Sequence, residues 1–377
     1  MGKATIYSII LYSCLALYAP RTGAQVVSGQ RAFTSFGTYF QSWKLNESTR
    51  TVKLDQWALP INCFIPLGDN YELRILASAA STDLNGLGEK NNLIGLNDTK
   101  IEVAGSFLDD RFLISMGANI PSGTKSLKTE EMKVAQYLCL DYLNLPVKSF
   151  GEGLNLNLTT ASAIHWKDLV FGIGVGYQYN GTYQPYDNFS EYKPGDRIHL
   201  TFGVSSYLDE IKLTGDLTYF IYQADKQSGN KIFKDGNELD IKGSFLYNDK
   251  RFSAAVNTRF IIRASDKRYG VSEFNPEDFK NHGDDLRLST SLSYQVMPKI
   301  KLIGQAETKL IMEYDYPHSD PFYLGASHII GFGGGLKYIL KDNFDLDLLG
   351  KIFDGKANGG NIKLSGFQIQ GGLLIRF

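Results

Sequence analysis

Hydrophobic and polar residues alternate along most of this chain. In the final stretch, GFQIQGGLLIRF, the side chains of Phe367, Ile369, Leu373, Ile375 and Phe377 share one parity, and Gln368, Gln370 and Arg376 share the other. Leu374 interrupts the polar row. A period of two marks a β-strand with one apolar and one polar face. KDLVFGIGVGYQYN repeats it, setting Leu169, Phe171, Ile173, Val175, Tyr177 and Tyr179 opposite three glycines, Gln178 and Asn180. RIHLTFGVSSYL, RFSAAVNTRFIIR and YELRILASA do the same. The alternation predicts strands over 33–43, 52–67, 71–79, 99–107, 111–120, 151–164, 169–180, 197–207, 211–224, 237–247, 251–264, 285–296, 300–312, 327–340, 343–354 and 363–377, sixteen in all. The count falls to fourteen if the first two form a plug. QWALPINCFIPL argues for a wall strand, because Trp57, Leu59, Ile61, Cys63 and Ile65 alternate with Gln56, Ala58, Pro60 and Asn62.

The connections alternate as well. Short polar turns fall at 68–70, 108–110, 165–168, 208–210, 248–250, 297–299 and 341–343. Longer links fall between them, at 44–51, 80–98, 121–150, 181–194, 225–236, 265–284, 313–326 and 355–362. One rim of tight turns and one of long loops is the layout of an up-and-down transmembrane barrel. The expected fold is all-β, a single antiparallel barrel domain over 25–377. Its short turns would be periplasmic and its long loops extracellular, in a bacterial outer membrane. No segment after residue 25 approaches the roughly 18 apolar residues of a membrane helix.

The polar parity carries charge at mid-strand, which is costly to bury in a dry core. Lys212, Asp216, Arg259, Arg263, Arg287, Glu307, Lys309 and Asp345 are therefore the expected pore-lining residues of a wet lumen. The apolar faces would meet lipid, and closure would leave no unpaired edge in hydrocarbon. The mixed signs favour neither an anion nor a cation pore.

One segment breaks the strand pattern. In SLKTEEMKVAQYLCLDYLNLPVKSFGEG, the acidic Glu130 and Glu131 suit the first turn of a helix. Met132, Ala135, Leu138 and Cys139 form an apolar stripe, and Pro146 would stop it. This long, partly helical loop over 121–150 either packs on the surface or folds inward and narrows the pore. In the second reading Glu130, Met132, Leu138 and Leu140 belong to a gating loop that offers apolar contact to a solute.

Composition adds limits. Net charge is −1, and losing Lys3 and Arg21 with a leader makes it −3, so no basic block suggests a nucleic-acid partner. Lys3 followed by IYSIILYSCLALYA and small residues at Thr22 and Ala24 reads as a signal peptide over 1–24. Cys63 and Cys139 remain beyond it, too few for a disulfide scaffold. The five histidines, His165, His199, His282, His318 and His328, form no local triad pattern, so an enzyme is not expected. Glu313, Asp315, His318 and Asp320 could ligate a metal, but acidic loops of this kind are usually just solvated; no metal, cofactor or catalytic site is expected. GFGGGLKYIL lacks the ending of a phosphate loop.

The terminal Phe377, behind alternating hydrophobics, resembles the signal that outer-membrane barrels present to their assembly machinery. LNDTKIEVAGSFLDDRFLISMGANIPSGTKSL, with PLGDNYELRI and YKPGDRIHLTFGV, is similar to the FadL-like superfamily of fatty-acid and aromatic-hydrocarbon transporters and related barrels encoded near phenol-degradation genes. That resemblance implies a porin-like transport channel for passive uptake of small hydrophobic or amphipathic molecules. The expected partners are outer-membrane lipid, the assembly machinery and a small-molecule solute. A structural, adhesive or enzymatic barrel without a transport role is the alternative. Oligomeric state is not legible.

Overall fold

The computed structural model describes residues 31–377 apart from 87, 89, 125, 188, 270–276, 281 and 315–323. The expected leader over 1–24 lies outside the described residues, as do Asp315, His318 and Asp320.

Every wall strand pairs antiparallel with its sequence neighbour, starting with Phe33–Asn46 on Thr51–Leu67 and ending with Phe344–Ala357 on Ile362–Arg376. The sheet contains 17 strand segments. Two of them, Asn91–Leu96 and Thr99–Phe107, both pair with Tyr71–Asn85 and form one wall strand broken at Asn97 and Asp98. The wall therefore has 17 − 1 = 16 strands. Phe33–Asn46 also pairs antiparallel with Ile362–Arg376, with Phe33 opposite Arg376, so the first and last strands close the barrel. The first two predicted strands are wall, not plug. The protein is an outer-membrane β-barrel: closure satisfies every ladder within hydrocarbon, and the even strand number and unequal rims are those of that class.

The parity was read correctly. Ile173, Phe202, Phe332 and Ile352 are half or more exposed on the outer face. Phe40 stands 4.6 Å from Trp57 and 5.6 Å from Phe367, an aromatic cluster across the closing seam. Phe377 donates its N–H to Ala32 O at 2.9 Å, so the ladder runs to the last residue. Deleting Phe377 is expected to impair membrane insertion while export continues. Normal outer-membrane levels of a heat-modifiable deletion variant would refute this.

Several strands run further than predicted. The 44–51, 80–98 and 355–362 links are not long loops. Phe33–Asn46 and Thr51–Leu67 leave only 47–50 between them, Tyr71–Asn85 continues well past residue 79, and Phe344–Ala357 leaves 358–361. The strand expected from 151 begins instead at Asn155 and runs to Trp166. The tall hairpins rise beyond the ~9–11 residues that cross a bilayer. There the pattern inverts. Lys44, Lys53 and Lys356 are exposed on the parity that meets lipid lower down. Trp43, Leu45, Val52 and Leu54 are buried on the inward parity. Once a strand leaves hydrocarbon its outer face meets water, and its inner face can then hold an apolar core.

The long-loop rim is tied by a recurring device. Gly195, Gly236 and Gly283 pack against the carbonyl oxygens of Gln223, Ala264 and Met312, where a Cβ would stand 2.0, 2.0 and 1.8 Å away. Gly195 N–H donates to Asp225 Oδ1 and Gly236 N–H to Asp266 Oδ1, both at 2.6 Å. Above this rim a five-stranded sheet gathers Tyr192–Lys193, Asp225–Gln227, Asn230–Lys234, Asp266–Arg268 and Glu277–Phe279 from three successive links.

Candidate solute path

The 121–150 segment folds into the barrel. A helix forms over Thr129–Leu138, where Glu131 accepts the Lys128 N–H at 2.8 Å and acidic groups face the positive helix start. It ends at Cys139, well before Pro146. Asn144, in the left-handed region at φ 47°, then turns the chain; the short polar Asn side chain tolerates that conformation better than most residues do.

Inward-facing side chains hold the segment. Gln56 donates to Val147 O at 2.8 Å and accepts Val147 N–H at 3.0 Å. Gln41 donates to Leu143 O at 3.1 Å, and Lys309 donates to Asp141 O. Those anchors come from Phe33–Asn46, Thr51–Leu67 and Ile300–Ile311, so the segment lies across one side of the lumen. Val134, Leu138, Tyr142, Leu143, Leu145 and Val147 are buried with Trp43, Leu54, Leu84, Leu93 and Phe353 in one apolar cluster.

This corrects the expected stripe. The buried helix pair is Val134 and Leu138, one turn apart, while Cys139 is exposed. Met132 is half-buried and Glu130 exposed. Leu140 packs at the edge of the cluster. Leu138 faces the wall, so its apolar surface is unavailable to a solute.

Two cavities flank the inward segment. The larger, about 680 Å³, is lined by polar groups including Asn62, Lys100, Asn119 and Gln368, with Tyr39 and Pro60 among them. The smaller, about 210 Å³, lies between Trp43, Tyr142, Arg287, Lys309 and Phe353. Asn144 and Glu307 line both, which makes them the partition between the two spaces.

The eight charged residues expected in the lumen all fall on the inward parity, and most are matched by an opposite charge. Arg259 makes a two-pronged contact with Asp240 at 2.9 Å, and Arg263 meets Glu238 at 2.8 Å. Arg287 contacts Asp285, and Lys309 lies 3.7 Å from the same carboxylate. Glu307 meets Lys351 at 2.8 Å, and Asp345 meets Lys337 at 2.8 Å and also Arg376. Asp216 stands opposite Lys242 in the register. Lys212 sits near the short-turn rim, over the Tyr207 ring at 4.9 Å from its centre. The partners Asp240, Asp285, Lys337 and Lys351, and the anchors Gln41 and Gln56, were not singled out from sequence. Their inward parity was a usable signal; their pairing across strands was not visible.

No protein-family model matches the chain, and no curated protein sequence matches it. Solved outer-membrane barrels do. The OccK11 (OpdR) structure from Pseudomonas aeruginosa is 9% identical, with 92% of this chain and 96% of that one covered at a TM-score of 0.46. OccK2 (OpdF) of the same organism, in complex with glucuronate, is 8% identical over 92% and 98%, at 0.45. A loop-deleted OmpT, an outer membrane protein of Vibrio cholerae, is 11% identical over 92% and 100%, at 0.42. At these identities and scores the likeness is one of barrel architecture, and nothing about solute or mechanism is carried across.

Proposed function

We propose that this protein is a passive outer-membrane channel for small molecules, narrowed from within by the 121–150 segment. The observation that carries the reading is the pair of cavities that meet at Asn144 and Glu307 inside a closed barrel. A barrel whose interior served only structure would have no use for a polar cavity of about 680 Å³. The resemblance to FadL-like transporters and the helical stripe suggested a hydrophobic or amphipathic solute. With Val134 and Leu138 packed on the wall, apolar contact in the larger cavity comes from lining residues such as Tyr39, Pro60, Ile61, Leu76 and Leu145, interspersed with polar ones. An amphipathic solute fits that mixture better than a wholly hydrophobic one. The expected pore-lining charges then set a mixed-sign wall. Because most of them are paired, selectivity between small anions and cations should be weak.

Folded protein in planar bilayers should give resolved conductance steps, with reversal potentials near zero in a salt gradient. Proteoliposomes should swell in small amphipathic or polar solutes. Silent bilayers together with unswollen liposomes would remove the channel reading and leave the adhesive, structural or enzymatic alternatives.

A further inference from the structure

The loop sheet above the rim brings together groups that a solute path does not need. Asp235 follows the strand Asn230–Lys234, and Asp266 opens the neighbouring strand Asp266–Arg268. These strands are paired through Phe233 and Arg268. His282 returns from the far end of the second link. One ligand atom from each of the three lies within 4.8 Å of the others. His282 Nδ1 stands 3.7 Å from Asp266 Oδ2, and the imidazole lies against the Tyr314 ring, with centres 6.0 Å apart. The Gly236 N–H fixes the other oxygen of Asp266.

The charge around Asp235 is unbalanced. The carboxylates of Asp225 and Asp266 and the imidazole of His282 stand near its carboxylate. Glu238 is nearby too, but it is taken up by Arg263. A divalent cation between the three ligand atoms would balance the carboxylates of Asp235 and Asp266.

We propose that Asp235, Asp266 and His282 form a binding site for a zinc-class divalent metal ion that clasps two neighbouring extracellular loops. The donor set selects the class. An imidazole with two carboxylates suits zinc and similar first-row ions, whereas calcium and magnesium prefer oxygen alone. Ligand atoms on one tetrahedral zinc stand about 3.3 Å apart, given bonds near 2.0–2.1 Å. Closure thus draws the three atoms inward by up to about 1.5 Å from their present spread, within reach of side-chain rotation. A fourth position would stay open to water. The clasp joins the 223–237 and 264–284 links and is independent of whether the barrel conducts.

The test is zinc titration by calorimetry on the refolded full-length chain in detergent, in a non-chelating buffer. One zinc ion should bind per chain at neutral pH. Asp235→Asn and His282→Ala should each weaken zinc at least about tenfold, the scale of losses already seen for outer residues of metal sites. Binding should also weaken as pH falls from 7.5 to 5.5. Protons then compete with the metal for the imidazole and the carboxylates. Asp235→Asn relieves repulsion, so without metal it should keep its heat-modifiable band and its unfolding temperature. That separates loss of the site from loss of the fold. The proposal fails if zinc shows no stoichiometric binding, if Asp235→Asn binds zinc as the parent does, or if equimolar calcium displaces the zinc.

Discussion

Removing residues 126–144 should raise single-channel conductance several-fold and loosen solute discrimination. The deletion takes out the helix Thr129–Leu138 and the turn at Asn144, which together occupy one side of the lumen and separate the two cavities. The wall should survive, because strand closure does not pass through this segment. The variant does, however, expose Trp43, Leu54, Leu84 and Leu93, which the segment covers. A milder change makes the same test. Gln56→Ala removes both contacts to the Val147 backbone and leaves buried polar groups unmatched, a loss of about 1–3 kcal/mol at that anchor. It should make the channel flicker or open wider without touching the helix. Unchanged conductance in a folded deletion variant would show that the segment does not limit the path.

The second large effect is on the lipid face. Ile173→Arg should destabilise the folded barrel by roughly 2–4 kcal/mol if the site is near the bilayer midplane. Ile173 lies mid-strand in Leu169–Asn180 and is 67% exposed outward, so its replacement would place a cation in hydrocarbon. Gln178→Arg, on the same strand with the opposite parity, should be tolerated by the wet interior. Urea unfolding in lipid vesicles measures both. Equal tolerance would mean that the two faces are exchanged.

The sequence by itself determined the barrel. Lipid imposes one rule along the membrane-spanning part of every strand, apolar outward, and the lumen imposes its opposite, so a local period of two was enough to place sixteen strands and their faces, though not the full height of the hairpins at 44–51, 80–98 and 355–362. The eight charged residues fell on the inward parity for the same reason. The helix was legible because Glu130 and Glu131 precede a run without alternation.

Tertiary structure decided the rest. Trp43 closed one expected strand, Val52 and Leu54 opened the next and Leu45 fell in the link between them; their inverted parity has meaning only once a loop covers their inner face. The stripe chosen from spacing included Cys139, which is exposed, and passed over Val134, which is fully buried. Helical periodicity allows both registers; which one is buried depends on Leu84 and Leu93, distant in sequence. Whether the segment lay inside or outside rested on Gln41, Gln56 and Lys309, polar side chains whose partners are backbone atoms about 90 to 170 residues away. Likewise, Asp235 and His282 meet only because two loops add strands to one sheet. Contacts of that kind leave no local pattern, since each side chain is ordinary in its own segment.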